Sequence, residues 1–192
     1  MNPATFAEPA AAAPMAAPVI ANDLPLENGR PYEIIDGQRV EKIMSAVEIA
    51  VASRLMGRLD AFTFNKLGRV FMEMLYNLGP DFPNNRCPDV SFVSYKRWPK
   101  EQTIPPDNAW AVVPNLAVEV VSRSNSAHSV LEKIAEYFQA GVEKVWAVYP
   151  NVRQVQVFHS PTQITVLSEQ DELDDGDLLP GWKMPVAELF VL

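Results

Sequence analysis

The run 115-NLAVEVV-121 constrains the fold of this 192-residue chain more than any other segment. It is nearly continuous in apolar residues, which is typical of a central strand covered on both faces. One residue breaks the pattern, because the carboxylate of Glu119 stands among valines. Burying an ionised carboxylate is unfavourable unless a cation or a hydrogen-bond donor offsets its desolvation. Glu119 therefore marks a candidate functional site inside a buried sheet.

Helical and extended segments alternate around this run. Asp36-Gly37 tolerates the positive φ values of a tight turn, which predicts a hairpin at the start of the folded part. Ser45 and Glu48 resemble a capping box, and Gly141 is a typical helix stop. The predicted elements are a hairpin at 31–35 and 38–43, a helix at 45–65, strands at 69–76, 89–94 and 115–121, a helix that follows caps at 122–129 and ends at 140, and strands at 143–149, 152–158 and 162–168. This alternation predicts an α/β or α+β domain.

Residues 1–24 differ in composition from the rest of the chain, because Ala and Pro dominate them. We predict a disordered leader at 1–24 and a single domain over residues 25–192. The leader lacks the basic start and unbroken apolar stretch of a secretory signal, and no segment has the length of a membrane span. Cys87 is the only cysteine, so no internal disulfide can form. These features predict a cytoplasmic protein.

The net charge of −8 is a poor match to a nucleic-acid partner, but the excess is unevenly placed. Residues 1–24 contribute −2 and the run 169-EQDELDDGD-177 contributes −6, which leaves the remaining chain neutral. We expect the acidic run to be a solvated loop. Basic residues lie close in sequence to Glu119 and to a second acid, Asp89, and they are Arg86, Lys96, Arg97, Lys100 and Arg123. The net negative charge thus makes a nucleic-acid partner less expected but does not exclude one.

The second acid, Asp89, follows Pro88 at the head of the apolar run 89–94. Mg²⁺ prefers oxygen ligands, so Asp89, Glu119 and the backbone carbonyl of Val120 form a candidate metal site. Lys133 flanks the predicted buried stripe of the second helix, from where its ammonium can reach Glu119. A cation between two acids, with a lysine beside it, can activate water against a phosphodiester. We therefore take Asp89, Glu119 and Lys133 as candidate catalytic residues.

Several segments resemble the bacterial putative restriction endonucleases, a domain-of-unknown-function branch of the PD-(D/E)XK nuclease superfamily. The resemblance extends from about Leu26 to Pro150 and rests on 32–45, 86–93 and 115–126, then on Lys133, Tyr137, Gly141-Val142 and Trp146. It implies a restriction-endonuclease-like core with a central mixed β-sheet flanked by helices. It also implies that Asp89 and Glu119 bind Mg²⁺ or Mn²⁺ and that the protein cleaves nucleic acid, with DNA as the first expectation. The expected assembly is a homodimer.

The chain departs from the superfamily at the lysine. That residue usually lies two positions after the second acid, where this chain has Val121, and Lys133 on the following helix takes its place. Superfamily members often use an acid on the first long helix as well. Glu48 or Glu41 is the candidate for that assisting role.

Other interpretations of the same residues stay open. Asp89 after a proline can simply cap a turn, and Lys133 can be an ordinary solvated lysine. A nuclease-like nucleic-acid-binding or assembly module without catalysis would suit the acidic charge and Val121. A glycoside hydrolase with paired carboxylates ranks last, because aromatic platforms are missing between the acids. We predict Cys87 to be a small buried residue and the two histidines to be too few for zinc. We expect the tryptophans to be core or interface residues, although Trp98, between Arg97 and Pro99, could contact nucleic acid.

Overall fold

The computed structural model describes residues 30–104 and 109–191, so the predicted leader at 1–24 lies outside the described residues. Within these ranges no helix has the length and hydropathy of a membrane span. The elements are β1 (Tyr32–Ile35), β2 (Gln38–Glu41), α1 (Ala46–Thr63), β3 (Gly68–Met72), β4 (Tyr76–Asn77), β5 (Asn85–Arg86), β6 (Val90–Ser94), β7 (Leu116–Val120), α2 (Ala127–Ala140), β8 (Lys144–Tyr149), β9 (Gln154–Phe158), β10 (Ile164–Ser168), β11 (Glu172–Asp174), β12 (Lys183–Pro185) and α3 (Val186–Leu189).

A six-stranded sheet in the order β10-β9-β8-β7-β6-β3 forms the centre of the molecule. Only β7 and β8 run parallel among its paired strands, so the sheet is mixed. All five residues of β7 are buried. Leu116, Val118 and Val120 pack in the core with α1, whereas Ala117 and Val121 pack in a second core with α2. The predicted central mixed sheet with helices on both sides is confirmed.

Both long helices begin and end as the sequence predicts. The Ser45 amide donates to Glu48 Oε2 at 2.7 Å and the Glu48 amide donates to Ser45 Oγ at 3.5 Å, which completes the capping box of α1. Ser126 caps α2 by accepting from the Ser129 amide. Gly141 ends α2 at φ 96°, a left-handed conformation that glycine adopts without a Cβ penalty.

The predicted hairpin forms part of a second, four-stranded sheet in the order β2-β1-β5-β4. Its turn residues Asp36 and Gly37 have φ values of 50° and 75°, which match the tight turn expected from the Asp-Gly pair. β5 leads through residues 87–89 into β6, and Lys42, directly after β2, contacts Asp89 and Glu119. The hairpin thereby contributes side chains to the site described below.

Two sequence predictions about strands and loops are wrong. Residues 69–76 are not one strand, because Glu73 adopts φ 49° and ends β3 before the chain enters β4 of the second sheet. The run 169–177 is not entirely a solvated loop, because β11 pairs with β12. Leu173 is fully buried and Asp175 is also buried. The single apolar residue of the acidic run therefore anchors it to the core.

Candidate functional site

The register of the central sheet makes Asp89 and Glu119 neighbours. Val90 of β6 pairs with Val118 of antiparallel β7, and one further step brings Asp89 opposite Glu119. Because side chains alternate along a strand, both acids lie on the α2 side of the sheet. Asp89 is 2% exposed and Glu119 is 7% exposed. The two candidate metal ligands thus lie side by side at neighbouring inner strands of the sheet, and both are buried.

Asp89 is held at the end of β6 by the neighbouring strand. Its Oδ2 accepts a hydrogen bond from the Val120 amide at 2.5 Å. Its Oδ1 lies 2.7 Å from Nζ of Lys42, which is the distance of a charge-assisted ion pair. One oxygen of Asp89 is therefore fixed by a backbone amide, and the other is held by the Lys42 ammonium.

Glu119 is held from the opposite side by helix α2. The Tyr137 hydroxyl donates to Oε1 at 2.7 Å, and Lys133 Nζ lies 3.4 Å from Oε2. These two residues are four apart in sequence, so they lie on the same face of α2. Oε2 also lies 4.0 Å from Nζ of Lys42. The carboxylate that interrupts the apolar strand is thus matched by one hydroxyl and two ammonium groups.

Lys133 occupies the place that helical spacing predicts, beside the buried stripe formed by Val130, Ile134 and Tyr137. Its ammonium lies 3.0 Å from Glu33 Oε2 as well as near Glu119, and its side chain is largely buried. The interpretation of Lys133 as a solvated surface lysine is therefore wrong.

Sequence reasoning missed Glu33 on β1. Its Oε1 accepts from the Cys87 amide at 3.2 Å, and its Oε2 lies 3.3 Å from Arg86 and 3.0 Å from Lys133. Glu33 carries the signal that identified Glu119, namely an acid inside an apolar extended run, here 31-PYEII-35. Glu33 could therefore have been predicted from the sequence alone.

Lys42, directly after β2, was also missed. The hairpin register pairs Val40 with Glu33, and the Lys42 amide donates to the Pro31 carbonyl, so Lys42 and Glu33 lie on the same face. Nζ of Lys42 donates to the Cys87 carbonyl and pairs with Asp89. No sequence signal marks this lysine, because it stands in a polar segment where an exposed lysine is expected.

Two of the basic residues that cluster near the acids in sequence are engaged inside the fold. Arg86 is buried and pairs with Glu33 and, at 2.6 Å, with Glu136. Arg97 donates to the carbonyls of Val113, Pro114 and Gly141 and pairs with Glu143. These contacts hold loops and helices together. Neither guanidinium is a ready phosphate contact.

The buried charges of the site shift one another's pKa values. Burial raises the pKa of Asp89 to about 6, against the opposing effect of Lys42. Burial would also raise the pKa of Glu119, but Lys133 and Lys42 hold it below its ordinary value. Burial would lower the pKa of each lysine, yet the carboxylates raise both, chiefly Glu119 with Asp89 for Lys42, and Glu119 with Glu33 for Lys133. At neutral pH both acids are ionised and both lysines are charged.

A cleft of about 350 Å³ opens above the two acids. The hairpin, the start of α1 and the loop after β7 form its walls. Glu41 and Glu48 both line it, but Glu48 is engaged in the capping box of α1 and Glu41 pairs with Arg30. The lining residues are Glu33, Ile35, Val40, Glu41, Lys42, Ile43, Met44, Glu48, Asp89, Glu119, Val120, Ser122, Ser124, Asn125 and Lys133. A substrate group can therefore approach the acids from solvent.

The donor set at the floor of the cleft suits a hard divalent cation. Asp89 and Glu119 offer carboxylate oxygens, and Oδ1 of Asp89 contacts the Lys42 ammonium, whose positive charge stands where a cation would bind. No group of three or more His, Cys, Asp or Glu side chains is arranged around a metal position in the described part of the chain. A metal here would therefore need further oxygen ligands, such as water or the Val120 carbonyl. Lys42 lies close to both acids and contributes the charge that a cation would otherwise supply.

The remaining sequence candidates lie away from this chemistry. Cys87 is buried, as predicted, and burial raises the pKa of its thiol to about 12, so it stays protonated. His128 pairs with Glu132 on the surface of α2. Trp98 packs edge-on against Trp110 at 5.1 Å between ring centroids, and Trp110, Trp146 and Trp182 are buried. Three of the four tryptophans thus belong to the core, and Trp98 is half-buried against it.

Comparison with known proteins agrees with the fold. Residues 21–187 match the family Uma2, described as "Putative restriction endonuclease". The chain belongs to this family. Among curated proteins no sequence gives a significant match. The Uma2 chain is similar to a crystal structure at 1.96 Å resolution of "a putative nuclease belonging to DUF820" from Anabaena variabilis ATCC 29413, with a TM-score of 0.74 and 20% sequence identity over 87% of this chain and 93% of that one.

Proposed function

We propose that this protein is a Mg²⁺- or Mn²⁺-dependent endonuclease that hydrolyses phosphodiester bonds of nucleic acid, with DNA as its substrate. Membership of the Uma2 family supports a nuclease-like function. The observation that carries the proposal is the convergence of Asp89 and Glu119 from adjacent strands at the floor of an open cleft. Paired oxygen ligands, two ammonium groups and solvent access together suit an anionic phosphodiester.

In the proposed mechanism Asp89, Glu119 and the Val120 carbonyl would hold the cation. A bound cation would supply charge neutralisation at the phosphoryl group and would lower the pKa of a nearby water. Lys133 stabilises negative charge at the phosphoryl oxygens, and Glu33 positions its ammonium from 3.0 Å. The Tyr137 hydroxyl fixes Oε1 of Glu119, and Oε2 faces the ammonium groups of Lys133 and Lys42. Each residue thus has a role that its contacts favour.

The cleft favours a phosphate ester over a sugar. Its lining within the described residues contains no Trp, Tyr or Phe on which a sugar ring could stack. It does contain Lys42 and Lys133, whose ammonium groups attract an anion. The glycoside hydrolase interpretation therefore loses support from the site itself.

The decisive experiment is cleavage of plasmid DNA in Mg²⁺ or Mn²⁺ by the wild type, Asp89→Asn and Glu119→Gln. These isosteric changes remove charge with little change in shape. We expect each to lower the cleavage rate by at least about a thousandfold, since metal binding and water activation both fail. Asp81→Asn, on an exposed residue, is the matched control and retains activity. Equal rates in all four proteins would contradict the proposal.

A binding or assembly module without catalysis is the rival function, and the net charge of −8 and Val121 in place of the usual lysine favour it. Calorimetric titration with Mn²⁺ separates the two. A nuclease binds Mn²⁺ through Asp89 and Glu119 and cleaves at least one of duplex DNA, single-stranded DNA and RNA. A protein that binds DNA but cleaves none of these substrates would instead be a binding or assembly module.

Cleavage of both DNA strands requires two sites facing opposite strands, so we propose a homodimer that acts on DNA in the cytoplasm. Sedimentation at micromolar concentration measures this directly. A species of 21.4 kDa, the mass of one chain, in the presence of DNA and cation would contradict the dimer. It would leave single-strand nicking intact.

A further inference from the structure

Lys42 lies where its charge substitutes for a cation shared by Asp89 and Glu119. Its Nζ is 2.7 Å from Oδ1 of Asp89 and 4.0 Å from Oε2 of Glu119. The side chain is only 13% exposed, so little solvent screens these interactions. An ammonium and a divalent cation cannot both occupy this position, because like charges at contact distance repel strongly in a buried site.

The two lysines of the site differ in what else holds them. Lys133 is also paired with Glu33, and it keeps that partner whatever happens at Glu119. Lys42 has a neutral partner in the Cys87 carbonyl, and within the described residues no carboxylate other than Asp89 and Glu119 lies within 4 Å of its Nζ. A cation that takes both acids therefore leaves Lys42 without a counter-ion and leaves Lys133 paired.

Lys42 also has space into which it can move. It lines the cleft of about 350 Å³ above the acids and a neighbouring hollow of about 540 Å³ formed with Met44 and Met72. Its backbone amide is tied to the Pro31 carbonyl at 2.9 Å. The side chain can therefore swing toward solvent while the hairpin stays in place.

We propose that Lys42 is a built-in counter-ion that the divalent cation displaces, so that its ammonium moves into the cleft and contacts a phosphate group of the substrate. This inference rests on the proposed function, because it assumes that Asp89 and Glu119 bind a cation. It assigns Lys42 two positions, one on the acids without cation and one in the cleft with it. Lys133 stays in place in both.

Lysine labelling of the wild-type protein tests the displacement directly. Reductive methylation followed by mass spectrometry reports how accessible each ammonium is, with and without saturating Mn²⁺. We expect labelling of Lys42 to rise roughly tenfold with Mn²⁺, because the ion pair with Asp89 is lost. Labelling of Lys133 stays low, and exposed Lys66 is the internal reference.

Calorimetry of variants supplies an independent readout. Lys42→Met removes the competing charge, so we expect its dissociation constant for Mn²⁺ to fall by roughly tenfold relative to wild type. Lys42→Arg keeps the charge and binds Mn²⁺ no more tightly than wild type. Lys66→Met is the surface control and matches wild type. If Lys42→Met does not fold without cation, the labelling result decides.

The outcomes separate the inference from the proposed function. Mn²⁺ binding by the wild type, with Lys42 protected throughout, overturns the displacement of Lys42 and leaves the nuclease proposal standing. So does unchanged Mn²⁺ affinity in folded Lys42→Met. Failure of the wild type to bind Mn²⁺ or Mg²⁺ at all overturns both.

Discussion

Two clusters of buried charge lie on opposite faces of the central sheet. On the α2 face, Asp89 and Glu119 meet Lys42 and Lys133. On the other face, Lys144 Nζ lies 2.8 Å from His159 Nδ1 and 3.8 Å from Asp175 Oδ1. Each cluster contains a buried aspartate whose pKa is raised by burial and held down in part by a lysine. Burial and a shifted pKa alone do not distinguish them.

The difference lies in how many acids converge and what covers them. Asp89 faces a second buried acid from the adjacent strand beneath an open cleft. In the second cluster Lys144 also pairs with Asp177, but the side chain of Asp177 is 93% exposed. The backbone carbonyl of Asp175 accepts from the Leu178 and Leu179 amides. The second cluster therefore secures the acidic run to the sheet, whereas the first lies at the floor of a cleft that is open to solvent.

The largest expected effect is on stability, and it concerns Glu33. Glu33→Gln leaves Arg86 and Lys133 short of a buried counter-charge, so we expect a loss of about 3–5 kcal/mol in the free energy of unfolding by urea. The exposed acid Glu172, paired with Lys183, is the matched control. Glu172→Gln costs less than about 1 kcal/mol. Similar losses in both would show that burial of the first cluster is unimportant.

The next effect separates the two lysines by function. Lys133→Met lowers the rate of DNA cleavage by about a hundredfold, since a positive charge near the phosphoryl group is lost. Lys144→Met, in the second cluster, leaves the rate within about twofold of wild type once folding is verified by circular dichroism. A comparable fall in both rates contradicts the division between site and structural cluster.

A smaller effect follows from the raised pKa of Asp89. Because this pKa is about 6 in the folded protein, the folded state binds more protons than the unfolded chain between about pH 4 and 6. The group therefore stabilises the fold most at low pH, and that contribution is lost as pH rises through 6. The unfolding free energy of wild type minus that of Asp89→Asn falls by about 2 kcal/mol from pH 4 to pH 7. A difference that is flat or rises with pH contradicts the shift.

The smallest effect is the pH dependence of stability that Asp175 contributes in the second cluster. Burial raises the pKa of Asp175, so its stabilising contribution is likewise greatest at low pH and fades as pH rises above the ordinary aspartate range. Asp175→Asn removes this dependence but leaves Mn²⁺ affinity unchanged, as calorimetry at pH 7 measures. A weaker Mn²⁺ affinity in Asp175→Asn would show that the two clusters are coupled and would contradict their separation.

Local patterns in the sequence predict much of this fold. The Asp36-Gly37 turn, the capping box at Ser45 and the stop at Gly141 depend on neighbouring residues, so they can be predicted from the sequence alone. The apolar run of β7 identifies the centre of the sheet. Glu119 stands out there because nothing local offsets its charge.

Features that depend on distant partners could not be predicted. The two-residue strand β5 exists because β1 and β4 pair with it, and no pattern of its own indicates a strand. Glu73 ends β3 through a positive φ that its residue type does not favour. Lys42 enters the site only because the hairpin brings it against Asp89 and Glu119. Spacing on a helix could place Lys133, but no local rule could place Lys42.

The hairpin carries one acid and one base of the site on its two arms, Glu33 on β1 and Lys42 just after β2. The two-residue turn at Asp36-Gly37 therefore governs whether both charges point inward. Adding or deleting a single residue there would exchange the inner and outer faces of β2 and send the Lys42 ammonium outward. The length of this turn is therefore as important for the arrangement of the charges as the acids themselves, although neither turn residue lines the cleft.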